Sequence, residues 1–218
     1  MKNNFICFLV FAILVSLFAN LSVSADSPLS GQVFVLDAGH GGVDPGTVVG
    51  EIYEKDINLK ITFALKNELE QLGANVILTR SSDYDLGTPN ALYRKKSDFD
   101  HRIKMINHSN ATYYLSIHLN YLSSSNYSGP QVFYSSVLDE NQKIALHLQE
   151  YLNSKLNGTR EVKKISNTIY MYSKLNVPGV LVECGFLSNA NERSKLLDDN
   201  YLKEFAKYVA ESFESLKI

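Results

Sequence analysis

Three apolar runs in this chain each end on a residue able to bind a metal or to work beside one. Val33 to Leu36 leads through Asp37 into Gly39-His40-Gly41-Gly42; Tyr113 to Ile117 runs into His118 and Asn120; Gly179 to Val182 runs into Glu183. Short apolar runs bounded by turn residues fit the buried strands of a parallel sheet. Such a sheet gathers the carboxyl ends of its strands at one rim, where open α/β folds place their ligands.

The segments between the runs carry the other period. From Glu54 to Leu72, apolar residues stand at Ile57, Ile61, Ala64, Leu65, Leu69 and Leu72, steps of three and four that predict a helix stopped by Gly73. Asn75–Thr79 predicts a strand ending at Arg80, and 81–91 a polar loop. Further helices are expected over Asp98–Ser109, Asp139–Leu156, Asn191–Leu197 and Asn200–Leu216. Gln131–Tyr134 and Thr168–Tyr172 are expected as short strands. The alternation predicts a single-domain α/β fold with helices on both faces of the sheet, a size that 218 residues suit.

The first 25 residues read differently. Lys2 precedes an uncharged, mostly apolar stretch from Phe5 to Ala19, and Val23-Ser24-Ala25 has the small-x-small form of a cleavage site. Residues 1–25 are therefore expected to be a signal peptide, with an uncleaved membrane anchor as the alternative, and residues 26–218 the working domain outside the cytoplasm. Cleavage removes Cys7 and leaves Cys184 alone, so no internal disulfide supports the domain. A formal charge of −2 provides no basic field for nucleic acid.

Familiar sites are excluded by spacing. Asp44 stands where a dinucleotide-binding G-x-G-x-x-G needs glycine, and the loop lacks the Lys-Ser/Thr ending of a phosphate-binding loop. No G-x-S-x-G elbow and no H-E-x-x-H helix occur. What remains is His40, Glu54, His118 and Glu183. Taken singly, Glu54 reads as helix-dipole chemistry, His118 as a hydrogen-bonded strand end and Glu183 as a paired carboxylate. Together, two imidazoles and one carboxylate form a catalytic zinc set with an open position, and Glu183 suits a general base better than a fourth ligand. His101, His108 and His147 lie on expected helices and read as surface or supporting residues.

The segments Leu36-Asp-Ala-Gly-His40-Gly-Gly, Glu54-Lys-Asp-Ile-Asn-Leu59, Thr79-Arg80, Ser116-Ile-His118-Leu-Asn120 and Val182-Glu183-Cys-Gly-Phe-Leu-Ser-Asn189 occur in this order. In them the chain resembles the zinc-dependent N-acetylmuramoyl-L-alanine amidases, and more finely the germination-specific amidases of endospore formers. The finer likeness lies in Tyr93 to Arg102, His118 to Ser125 and Ser128 to Tyr134, and it treats Tyr93 to Arg102 as an extended loop before a helix.

The resemblance implies a twisted, mostly parallel sheet of about six strands with helices on both faces. It implies one zinc ion held by His40, Glu54 and His118, with Glu183 moving a proton from water to the departing L-alanine amine. The expected partner is peptidoglycan: glycan strands carrying stem peptides, cut during spore-cortex maturation before muramic-δ-lactam forms. The expected location is the cell wall or the space between the forespore membranes. Asn120, Arg80 and Arg102 are expected to contact substrate, the two arginines alternatively bracing acidic loop residues. Arg94, Lys95 and Lys96 read as a solvated basic stretch, with a groove clamp as the alternative. Membrane contact is expected only through the N-terminal segment, and a helper protein is one route to targeting. Cys184 departs from the family pattern and raises the question of an oxidisable thiol beside the catalytic carboxylate. The competing readings are an exported zinc peptidase or deacetylase, and a wall-binding module without catalysis.

Overall fold

A computed structural model describes residues 27–166 and 168–217. The expected signal segment lies outside the described residues. Strands β1 (Val33–Ala38), β4 (Asn75–Leu78), β5 (Tyr113–Asn120), β6 (Gln131–Tyr134), β7 (Lys163–Lys164) and β8 (Gly179–Phe186) form one sheet in the order β4-β1-β5-β8-β6-β7. The first four of that order are mutually parallel; β6 runs antiparallel to β8, and β7 lies parallel to β6. A two-stranded hairpin, β2 (Val48–Val49) and β3 (Ile52–Tyr53), stands apart. The helices are α1 (Glu54–Gln71), α2 (Arg94–Asn107), α3 (Asp139–Leu156), α4 (Ala190–Leu196) and α5 (Asp199–Glu214). The expected single α/β domain is the observed one.

The pleat sorts each strand's side chains between two layers. Phe34 and Leu36 of β1, Leu115 and Ile117 of β5, and Val180 and Val182 of β8 enter a large apolar core. Ile57, Ile61, Leu65 and Leu69 of α1 meet them there, with α3, α4 and α5 completing the layer. Burying each of these side chains contributes roughly 1.5–3 kcal/mol. The alternate residues Val35, Tyr114 and Leu181 face a smaller cluster with Ile106 of α2 and with Met171, Tyr172 and Leu175. Side-chain caps fix two helix starts: Asn189 accepts from the amides of Asn191 and Glu192, and Asp198 from that of Asn200.

Four local expectations are corrected. The segment expected as a strand at Thr168–Tyr172 folds as turns, with Ser166 bonding the Thr168 amide and hydroxyl; the edge strand is Lys163–Lys164, too short and polar to show a period. Helix α2 begins at Arg94, so Tyr93 to Arg102 is not an extended loop. Its first turn is held by the ion pairs Arg94–Asp85 (2.9 Å) and Lys96–Asp100 (2.7 Å) rather than by apolar burial, which hides it from a hydrophobicity pattern. Strand β5 continues two residues past His118, with a register shift between His118 and Asn120, and β8 continues past Glu183.

Candidate metal centre

His40 follows β1 with φ of +62°, a left-handed backbone that a non-glycine residue adopts only where its surroundings hold it. Glu54 opens α1. The hairpin before it folds the chain back, and hydrogen bonds from the Glu54 amide to Thr47 O (2.9 Å) and from the Lys55 amide to Pro45 O (3.2 Å) fix the turn. His118 comes from β5, the neighbour of β1.

These three side chains converge. Glu54 Oε1 lies 3.2 Å from His40 Nε2 and 3.2 Å from His118 Nδ1. One donor atom from each residue falls within 4.8 Å of the others. Two imidazole nitrogens and a carboxylate oxygen at that spacing fit a single divalent ion of the zinc type. Two glycines make the approach possible. A Cβ on Gly39 would stand 2.3 Å from His118 Cε1, and one on Gly46 would stand 2.7 Å from both Glu54 Oε2 and His40 Cδ2.

The carboxylate of Glu54 is buried and well supplied with donors: the amides of Thr47 (2.9 Å) and Leu119 (3.1 Å), and Asn58 Nδ2 (3.3 Å). Burial opposes its charge, but the hydrogen bonds and charges of the two histidines hold its pKa far below the ordinary carboxylate value. His40 Nδ1 donates to Asp44 Oδ2 at 2.9 Å, which turns Nε2 toward Glu54. Burial pulls the His40 pKa down, yet Asp44 and Glu54 together push it up to about 9.

Glu183 is paired in register with His118 on the adjacent strand, so the two side chains leave the same face of the sheet. Its Oε2 is shut off from water and has no hydrogen-bond partner among the described residues. Burial and the nearby charge of Glu54, against a smaller opposing effect of His40, push its pKa up to about 8. His40, Glu54, His118, Glu183 and Asn120 all line one open groove.

Residues 34–215 match the Amidase_3 family, N-acetylmuramoyl-L-alanine amidase. The chain belongs to this family. It is 42% identical to the germination-specific N-acetylmuramoyl-L-alanine amidase of Bacillus subtilis (strain 168), over 95% of this chain and 92% of that one. It superposes with a TM-score of 0.78 on the CwlD amidase from Clostridioides difficile, solved in complex with the GerS lipoprotein, at 36% identity over 84% of this chain and 96% of that one. An N-acetylmuramoyl-L-alanine amidase from Clostridium difficile 630 gives a TM-score of 0.73 at 26% identity, covering 84% and 94%.

Within this amidase fold, the residues expected to contact substrate separate. Asn120 is half-buried at the groove. Arg80 and Arg102 are 1% and 2% exposed, and their expected contact with substrate is corrected by the partners they hold. Arg102 directs all its N–H groups at Asp37, Asp98, Ala38 O and His40 O; Arg80 binds the carbonyls of Ala38, Gly39, Lys55 and Ser82. The basic stretch is neither free nor merely solvated: Lys95 pairs with Asp44 behind His40. His101 and His108 bond carbonyls of their own helix, and His147 ties α3 to Ser212 O of α5 at 2.8 Å. Cys184 is fully buried on the apolar side of the sheet, away from the carboxylate beside it in sequence. The sequence reading missed Asp44 and Asn58. Asp44 stands four residues after His40, a spacing that offered a signal; Asn58 stands one helical turn after Glu54.

Proposed function

We propose that this amidase uses one zinc ion, held by His40, Glu54 and His118, to hydrolyse the amide joining N-acetylmuramic acid to L-alanine in peptidoglycan. The observation that carries the reading is the convergence of those three donors beside a buried, unpartnered Glu183 oxygen. Zinc bound there supplies a Lewis acid that polarises a carbonyl oxygen and eases the deprotonation of water.

The chain's own residues do the rest. Asp44 holds His40 in the tautomer that presents Nε2, and the Thr47, Leu119 and Asn58 donors keep Glu54 ionised and oriented. Glu183, in register with His118 and lining the same groove as the three ligands, is placed to take a proton from the attacking water and return it to the L-alanine amine. Asn120 at the groove is suited to bond a sugar or peptide carbonyl.

The likeness to a germination-specific amidase supports a role in spore-cortex maturation before muramic-δ-lactam formation, in a compartment outside the cytoplasm. A helper protein is the reading suggested by the C. difficile amidase solved with a lipoprotein. The test is digestion of cortex-type and vegetative peptidoglycan with and without zinc, with products identified by mass. Stem peptides with a free L-alanine amine are expected, only with zinc. Free amino acids or acetate instead would replace the amidase by a peptidase or deacetylase.

A further inference from the structure

We propose that Arg80, Arg102 and Asn58 form a buried positioning clamp that sets the geometry of the three metal-binding side chains; the inference rests on the zinc reading above. His40 sits in a left-handed backbone conformation in a glycine-rich loop, so its imidazole is only as well placed as the loop beneath it. The three successive carbonyls under that imidazole are all taken by side chains. Ala38 O accepts from Arg80 Nε (2.9 Å) and Arg102 Nη1 (2.8 Å), Gly39 O from Arg80 Nη2 (3.0 Å) and Asn58 Nδ2 (3.2 Å), and His40 O from Arg102 Nη2 (2.7 Å).

The same groups reach the other two ligands. Arg80 Nη2 also donates to Lys55 O at 2.7 Å, so one guanidinium joins the residue before His40 to the residue after Glu54. Asn58 Nδ2 lies 3.3 Å from Glu54 Oε1 as well as bonding Gly39 O. Arg102 Nη1 pairs with Asp37 at 2.6 Å, whose other oxygen accepts from Ser116 at 2.8 Å, two residues before His118. His40, Glu54 and His118 come from three separate segments, and this network joins them through side chains that do not line the groove holding Glu183 and Asn120. A planar, forked guanidinium is required: one lysine ammonium cannot reproduce several donors fixed in one plane.

The experiment compares the full-length protein with Arg80→Lys, Arg102→Lys and Asn58→Ala. Three readouts are needed: far-UV circular dichroism, the zinc dissociation constant by competition with a chelating dye, and the visible spectrum after cobalt(II) substitution. Variants with wild-type helix content that bind zinc about 10- to 100-fold more weakly, with altered cobalt bands, are expected. A merely structural role lowers the melting temperature of the metal-free protein and leaves zinc affinity and the cobalt spectrum untouched; that result overturns the clamp. If an arginine variant does not fold, Asn58→Ala decides, since it removes one of the two donors to the Gly39 carbonyl together with the contact to Glu54 Oε1, and wild-type affinity there overturns the proposal. A wild-type protein that binds no zinc defeats the zinc reading itself, a result distinct from either.

Discussion

The two sides of the sheet are built from different materials. On the side of α1, α3, α4 and α5 the strands offer Phe34, Leu36, Leu115, Ile117, Val180 and Val182 to a large apolar core. On the α2 side, toward the rim, they offer Asp37, Ser116, His118 and Glu183, and Asp37 is tied to Arg102, Thr79 and Ser116. A hydrogen bond weakens steeply with misalignment, so the polar side constrains direction as well as distance. The α2 side has a smaller apolar cluster of its own, so the larger core supplies most of the apolar burial while the ionic rim fixes where reactive groups point.

The comparison breaks if both sides respond alike to substitution. Phe34→Ala, on the apolar side, is expected to cost about 3–5 kcal/mol of unfolding free energy while leaving zinc affinity unchanged; denaturant titration beside a zinc titration checks this. Asp37→Asn, on the ionic side, is expected to cost less, about 1–3 kcal/mol, and to weaken zinc binding. Burial raises the Asp37 pKa, but Arg102, Ser116 and Thr79 together bring it below 3.8. Its contribution is therefore present above pH 3.8 and lost as pH falls through the depressed value. The stability gap between wild type and Asp37→Asn should close on acidification.

Glu183 has the opposite sign. Its pKa rises from 4.5 to about 8, so the metal-free protein loses stability as pH climbs between those values. Metal-free Glu183→Gln should escape that loss and gain on the wild type from about pH 4.5 to pH 8, read as a widening difference in melting temperature. The smallest effect concerns Cys184, buried in the apolar core. Alkylation mapped by mass spectrometry should leave Cys184 unmodified in the native protein and modify it after unfolding; native reaction would place a solvent path where the apolar core is described.

Legibility in the sequence follows the same division. The apolar side was readable because burial imposes a period: Ile57, Ile61, Leu65 and Leu69 mark α1, and the continuous apolar runs mark β1, β5 and β8. His40, Glu54, His118 and Glu183 were readable because strand ends and a helix start locate them. The ionic network was not, since Arg80 and Arg102 look like surface residues until the fold turns them inward onto backbone carbonyls. The start of α2 was hidden for the same reason, its first turn being held by ion pairs. Asp44 lies in a loop with no period, and its partnership with His40 depends on a turn that only the folded backbone shows.

The most direct measurement is zinc content beside peptide release for two variants of the full-length protein. His118→Ala is expected to lose both zinc and activity. Glu183→Gln is expected to retain wild-type zinc while peptide release falls by about 100-fold or more. A Glu183→Gln protein that lost its zinc, or one that kept both zinc and wild-type peptide release, would contradict a centre in which three side chains hold the ion and Glu183 handles the proton.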